Sequence, residues 1–239
     1  MQIFFIIFYQ PIFNLLVWLY NNIPGQDLGV AIIVLTFIIR LLLYIPSKKS
    51  IQAQKNLSSI QPEIEKIKEK YKDDKEKMGP ELMALYKEKK VNPFSTCLPL
   101  LIQLPFLFAI YRVFFDGLTK DDAMSALYSF VGNPGALDPI AFGFLDLSEK
   151  NIIIAVIAGL AQYWQSKMLM SKNKQGGMAG AMSSQMLYIM PIITIVIGSQ
   201  FPAGLTFYWF LSTAFSIVQQ YMVLGFGKKE PVVEVVDKQ

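Results

Sequence analysis

The chain alternates between long apolar runs and short charged or polar segments. Apolar residues fill 28–46, 93–115, 151–168, 185–200 and 202–224 almost without a break. At about 1.5 Å per residue, helices of these lengths reach or approach the ~30 Å hydrocarbon thickness of a bilayer. Five transmembrane helices are predicted. Residues 1–27 differ: they are apolar and aromatic, but Gln10, Pro11 and Asn14 interrupt them. Phe5, Phe8, Ile12, Leu15, Leu16 and Leu19 recur at helical spacing, and Trp18 and Tyr20 suit a headgroup zone. The expectation is an external interfacial amphipathic helix and linker, with a sixth span as the alternative. A signal peptide fits poorly, because the start carries no basic residue and no small-residue cleavage site.

Residues 47–92 change character abruptly, with twelve Lys against eight acidic residues. Leu57, Ile60, Ile64, Ile67 and Tyr71 repeat at steps of three and four. After a break at Lys72-Asp73-Asp74, Met78, Leu82, Leu85 and Tyr86 do the same. Two amphipathic helices folded back as a hairpin explain that pattern, with Gly79-Pro80 kinking the second and Asn92-Pro93 ending it.

Charge then fixes the orientation. The loop at 116–150 holds two Lys against six acids, whereas 169–184 carries Lys172 and Lys174 and no acid, with Gly176, Gly177 and Gly180 marking a mobile loop. The tail from 225 to 239 begins with Lys228 and Lys229. Lys-rich short loops stay cytoplasmic, so the hairpin, the second loop and the tail are expected inside. The N-terminus and the acidic loop are expected outside.

Composition agrees with a multi-pass membrane protein. Of 239 residues, 53% are hydrophobic and only 17% charged, and the mean hydropathy is +0.39. A soluble domain would be about one-quarter charged. There is no His and a single Cys, Cys97. Imidazole acid–base chemistry, Ser-His triads, His-based zinc sites and internal disulfides are therefore excluded. No enzyme activity, metal, cofactor or specific nucleic acid is expected, and no Gly-x-x-x-x-Gly-Lys-Ser/Thr nucleotide loop occurs.

Against this background Arg40 stands out. It lies inside the first apolar run, and none of the five runs contains an Asp or Glu. A lone guanidinium at that depth costs from about 3 to above 10 kcal/mol unless water or a partner receives it. Thr36, Arg40 and Tyr44 are four residues apart and Ser47 follows at three, so a straight helix would place them on one face. The last run places Trp209, Ser212, Thr213, Ser216 and Gln220 along one stripe. Gln103, Gln162 and Thr194 add one polar position in each remaining run, pointing to a shared polar cavity, and Pro99, Pro105 and Pro191 add kinks. Two blander readings compete: Arg40 snorkelling to the interface, and hydroxyls that only glue spans together. Arg112, three residues from the end of its run, fits the snorkelling reading well.

Several blocks resemble the YidC/Oxa membrane protein insertases, as found in bacteria. They are Thr36-Phe-Ile-Ile-Arg40, Ile60-Gln-Pro62, Met83-Ala-Leu-Tyr-Lys87, Val91-Asn-Pro93, Cys97-Leu-Pro-Leu-Leu-Ile-Gln-Leu-Pro105 and Phe201-Pro-Ala-Gly-Leu-Thr-Phe-Tyr-Trp209. The likeness runs in register from about residue 9 to 224. It implies an all-α polytopic membrane protein of the bacterial inner membrane, with five transmembrane helices around a hydrophilic groove open to the cytoplasm and to lipid. By residue match Arg40 resembles the groove arginine, and Gln103, Tyr208 and Trp209 resemble groove-lining or substrate-contacting positions. The hairpin resembles the mobile cytoplasmic hairpin that meets incoming clients.

The function so implied is insertion and chaperoning of nascent membrane proteins, alone or beside the Sec translocon. The chain is expected to lack the additional N-terminal span of many Gram-negative members and the lipidated Cys of many Gram-positive ones. Its short tail leaves any docking of ribosomes or targeting factors to the hairpin. A small transporter or channel subunit with an intramembrane arginine is the alternative, but no inverted repeat is visible and five spans do not divide evenly. A membrane-anchored scaffold leaves Arg40 unexplained.

Overall fold

A computed structural model describes residues 2–93, 98–119, 123–169 and 177–225, with 98–100, 118–119 and 177–186 as backbone alone. Cys97, Lys172, Lys174, Gly176, Lys228 and Lys229 lie outside the described residues. The first helix, α1, runs from Gln2 to Asn22 and includes a π-helical turn at Phe5–Tyr9. Rings one turn apart stack along it: Phe4 on Phe8 at 5.8 Å, Phe5 on Tyr9 at 4.9 Å and Tyr9 on Phe13 at 5.7 Å. By length and composition alone, α1 is long and apolar enough to cross a membrane. Gln10 and Asn14 do not point into lipid, however. They donate to the Ala126 carbonyl at 3.1 and 3.0 Å, and Asn14 Oδ1 accepts from the Tyr128 amide at 2.6 Å.

Asp27 caps α2 (Leu28–Leu42), its Oδ1 accepting from the Val30 amide at 2.9 Å. The helix does not continue straight to Pro46. It turns by 68° at Leu43 and resumes as α3 (Tyr44–Ser59). Pro46 explains the break. It has no N–H to offer the Leu42 carbonyl, and its ring crowds that same carbonyl, so the chain bends where the bond is missing. Tyr44 and Ser47 therefore lie on a second helix beyond the bend rather than on one straight helix with Thr36 and Arg40.

After a break at Ile60, α4 (Gln61–Lys70) and α5 (Lys75–Glu88) fold back on each other. Pro62 sits in the first turn of α4, where a missing N–H costs nothing. Ile60, Ile64 and Leu85 form a small core of their own, flanked by Leu57, Ile67, Leu82, Tyr86 and Val91. Lys89 Nζ reaches Glu63 Oε2 at 2.9 Å across the two arms. Asp74 caps α5, and hydrogen bonds from Lys77, side chain first and then backbone, hold its carboxyl below the ordinary 3.8. The cap is therefore in place above that ordinary value and is lost as pH falls through the lowered one. Pro80 bends nothing sharply enough to divide α5.

The helix ends before Asn92-Pro93. Val91 N bonds Tyr86 O at 3.0 Å and Lys90 N bonds Lys87 O at 3.1 Å, with Lys90 at φ +52°, a Schellman end that glycine usually occupies. Lys90→Gly removes the strain of a side chain in the left-handed region, about 1 kcal/mol. Amide exchange within α5 is expected to slow about fivefold in that variant. An unchanged or faster exchange would contradict the assignment.

Four further helices follow: α6 (Leu98–Thr119), α7 (Ile152–Leu169), α8 (Gly177–Gly198) and α9 (Ala203–Leu224). Helix α8 thus begins eight residues before the apolar run it was drawn from, and Gly177 and Gly180 are helical rather than loop. Both α6 and α8 pass through Pro105 and Pro191 as single helices. Helix α7 packs along α8 and α9, and α9 packs on α2. Gly159 permits the first of these approaches: a Cβ there would collide with the Ile195 side chain and lie 3.0 Å from the Pro191 carbonyl. Between α6 and α7 lies a short antiparallel pair, β1 (Ile140–Ala141) and β2 (Leu145–Asp146), with Ala141 opposite Leu145. The main apolar core joins α1, α2, α6, this loop and the starts of α7 and α9, and shares no residue with the hairpin core.

Candidate functional site

Arg40 sits on α2 one turn beyond Thr36 and three residues before the bend. Its side chain is partly covered, and its Nε is hidden from solvent without a hydrogen-bond partner. Among the described residues no carboxylate forms an ion pair with it. Its polar neighbour comes from α9: the Tyr208 ring is 1% exposed, and its hydroxyl lies within electrostatic reach of the guanidinium. Gln103 on α6 donates from Nε2 to that hydroxyl at 2.6 Å. Three helices thus converge on Arg40, Tyr208 and Gln103.

Along α9 the buried polar side chains continue through Ser212, Thr213, Ser216, Gln219 and Gln220. The hydroxyls largely serve their own helices. Thr36 donates to Ile32 O at 2.6 Å, Thr213 to Trp209 O at 2.9 Å and Ser216 to Ser212 O at 3.0 Å. Their donors are spent, while Gln220 Oε1 is buried without a partner. Trp209 is only half-buried. Thr194 is buried on α8 and Gln162 half-buried on α7, but among the described residues neither hydrogen-bonds to Arg40 or Tyr208. The structure therefore brings Arg40, Gln103 and Tyr208 together from α2, α6 and α9, with Ser212 and Ser216 one and two turns further along α9. Gln162 and Thr194 lie on α7 and α8. Arg112, by contrast, pairs at 3.4 Å with Asp116 and lies over the Tyr9 ring.

The starts of α2 and α9 are held to the β1–β2 loop by backbone as well as side chains. Asp27 Oδ2 accepts from the Phe142 amide at 2.5 Å while Oδ1 caps α2, so one carboxylate pins the β1–β2 turn over the helix start. The Phe142 ring presses on Gly29, where a Cβ would lie 2.7 Å from it, and meets Phe207 edge-on at 5.9 Å. The unpaired amides that open α9 find carbonyls in the same loop: Ala203 N bonds Glu149 O at 2.7 Å and Gly204 N bonds Leu147 O at 2.9 Å. Leu28, Ala141, Leu147 and Ala203 are all fully buried there. At the opposite end Gln219 donates to the Tyr44 carbonyl at 2.9 Å and accepts from Ser47 Oγ at 2.8 Å.

Neither Asp27 nor Gln219 stood out in the sequence. The tandem amides Gln219-Gln220 inside an apolar run were the available signal for the second. Nothing local marks Asp27 as more than a helix cap.

Comparison with known proteins agrees with this architecture. A family model described as 60Kd inner membrane protein matches residues 18–230. The membrane protein insertases YidC of Rickettsia conorii and Rickettsia massiliae are each 33% identical over 231 residues, covering 93% of this chain. A crystal structure of active YidC insertase with its first transmembrane domain resolved superposes over 89% of the chain, with a TM-score of 0.61 and 28% identity. The chain spans 40% of the length of those relatives and 46% of the solved chain.

Proposed function

The chain belongs to the 60Kd inner membrane protein family, a bacterial membrane protein family whose relatives here are insertases, and we propose that it is itself a membrane protein insertase. It receives nascent membrane proteins in a cationic hydrophilic groove and releases their apolar segments sideways into the bilayer. The observation that carries this reading is Arg40, mid-span, with a buried Nε that nothing bonds and no carboxylate to neutralise it among the described residues.

Such a charge is tolerable only where water reaches it. Polar groups crossing hydrocarbon lose several kcal/mol each, on the order given for unpaired buried donors and acceptors. A hydrated recess reaching to the depth of Arg40 leaves a shorter apolar path, sealed on the far side by the Asp27–Phe142 closure. Burial of the client's apolar segment in lipid drives the step, so no catalysis or nucleotide is needed.

The proposed arrangement has five spans: α2, α6, α7, α8 and α9. Helix α1 then lies along the outer surface, with the N-terminus outside and the C-terminus in the cytoplasm. Its side chains support this placement. Gln10, Asn14 and Asn21 all donate into the acidic loop, at Ala126 O and Gly132 O, and the Asp138 amide donates to Tyr20 at 3.1 Å. The α4–α5 hairpin meets clients on the cytoplasmic side and carries any docking of ribosomes or targeting factors. Action alone or beside the Sec translocon fits the same geometry.

Cysteines placed at Gln103 and at Trp209 should crosslink to a stalled nascent chain exposing its first apolar segment. A cysteine at exposed Ile3 on α1 should not. Equal crosslinking at all three, or none at Gln103, would contradict the groove.

A further inference from the structure

Gln219 is 6% exposed in the last two turns of α9, and both ends of its amide are used. Nε2 donates to the Tyr44 carbonyl at 2.9 Å, and Oε1 accepts from Ser47 Oγ at 2.8 Å. Both partners belong to the first turn of α3, immediately beyond the 68° bend. This is where the chain is least able to hold its own direction. Leu43 departs from helical geometry at φ −87°, ψ 4°, and Pro46 offers the Leu42 carbonyl no donor.

A single hydrogen bond would leave α3 free to swivel about the contact. Two bonds to groups three residues apart fix both its position and its rotation. Ser50 and Ile51, the next turn, are buried at 1% and 4%. From Gln52 to Ser59 no residue of α3 is buried, so the buried side chains of this helix lie at its root. The hairpin core begins at Ile60, directly at the far end of this helix.

We propose that Gln219 is a positioning residue, a two-point latch that sets the direction in which α3 carries the α4–α5 hairpin away from the polar seam. It acts through α3 and touches no client. The inference rests on the insertase reading only for its functional consequence, since the latch itself is a statement about geometry.

The test uses the full chain in lipid nanodiscs, in a Cys97→Ser background, with spin labels at Lys72 in the hairpin turn and Lys167 at the end of α7. The parent should give one narrow distance distribution. Gln219→Leu should at least double its width, and Ser47→Ala, which removes one of the two bonds, should broaden it by a smaller step. Thermal unfolding of the parent and both variants shows whether the main core is intact. An unchanged width in folded Gln219→Leu would overturn the latch. If Gln219→Leu does not fold, Ser47→Ala decides, and an unchanged width there overturns it equally. Broadening with a matching loss of client insertion supports both latch and function. Broadening with insertion intact supports the latch and overturns the hairpin's role in receiving clients.

Discussion

Replacing Arg40 with Ala should lower insertion of single-span clients with acidic translocated tails by ten- to a hundredfold in insertase-depleted cells. Clients with uncharged tails should change less than threefold. The magnitude follows from Coulomb's law. Two unit charges 4 Å apart attract by about 1 kcal/mol in bulk water and about 4 kcal/mol at an effective dielectric constant near 20. A half-covered site lies between those limits, and each 1.4 kcal/mol is tenfold. Arg40→Lys keeps the charge but loses the planar fork, so it should fall between parent and Ala. Because Arg40 holds no acid among the described residues, Ala leaves no orphaned carboxylate behind. The chain should remain folded and in the membrane. Equal loss for acidic and uncharged tails would mean that Arg40 serves packing rather than attraction.

Deleting 61–90 and closing the gap with a short Gly-Ser linker should reduce insertion more than tenfold while leaving the rest of the chain folded. Two separate apolar cores make this a clean excision. Among the described residues Ile60, Ile64 and Leu85 pack with Leu57, Ile67, Leu82, Tyr86 and Val91, while the main core draws on α1, α2, α6, the acidic loop, α7 and α9. The contact of α3 with α9 through Gln219 survives the deletion. Measuring insertion together with thermal unfolding of the remaining helices separates loss of function from loss of fold. Undiminished insertion would remove the hairpin from the mechanism. A scaffold, the competing idea for this segment, expects instead that the excised hairpin binds a partner with full affinity.

Much of the architecture was legible because hydrocarbon is an unforgiving solvent. Apolar runs at 151–168 and 202–224 became helices Ile152–Leu169 and Ala203–Leu224, shifted by a residue at most. The hairpin break at Lys72-Asp73-Asp74 appeared where the apolar repeat lapsed, because helical periodicity records which face must be buried. The errors came from backbone effects. The apolar run ends at Pro46, whereas the proline's missing N–H produces a bend three residues earlier and a helix that continues to Ser59.

The site was legible in part for the same reason. An unneutralised Arg40 in an apolar run is conspicuous in one dimension, and so is a stripe at Ser212 and Ser216. That Gln103 bonds Tyr208 beside Arg40, while Gln162 and Thr194 do not join them, depends on how α6, α7 and α8 rotate about their axes. Their polar spacing does not encode that rotation. Asp27 and Gln219 make their bonds to residues 115 and 172 positions away, beyond any local pattern.

In the proposed groove, water reaches the arginine from the cytoplasmic face alone. A cysteine at Gln103, in a Cys97→Ser background, can be offered a membrane-impermeant maleimide in inside-out and in right-side-out vesicles. Rapid labelling from the cytoplasmic face and none from the outer face is the expected result. Labelling from neither face, with the protein folded, would mean a dry site and would contradict the account.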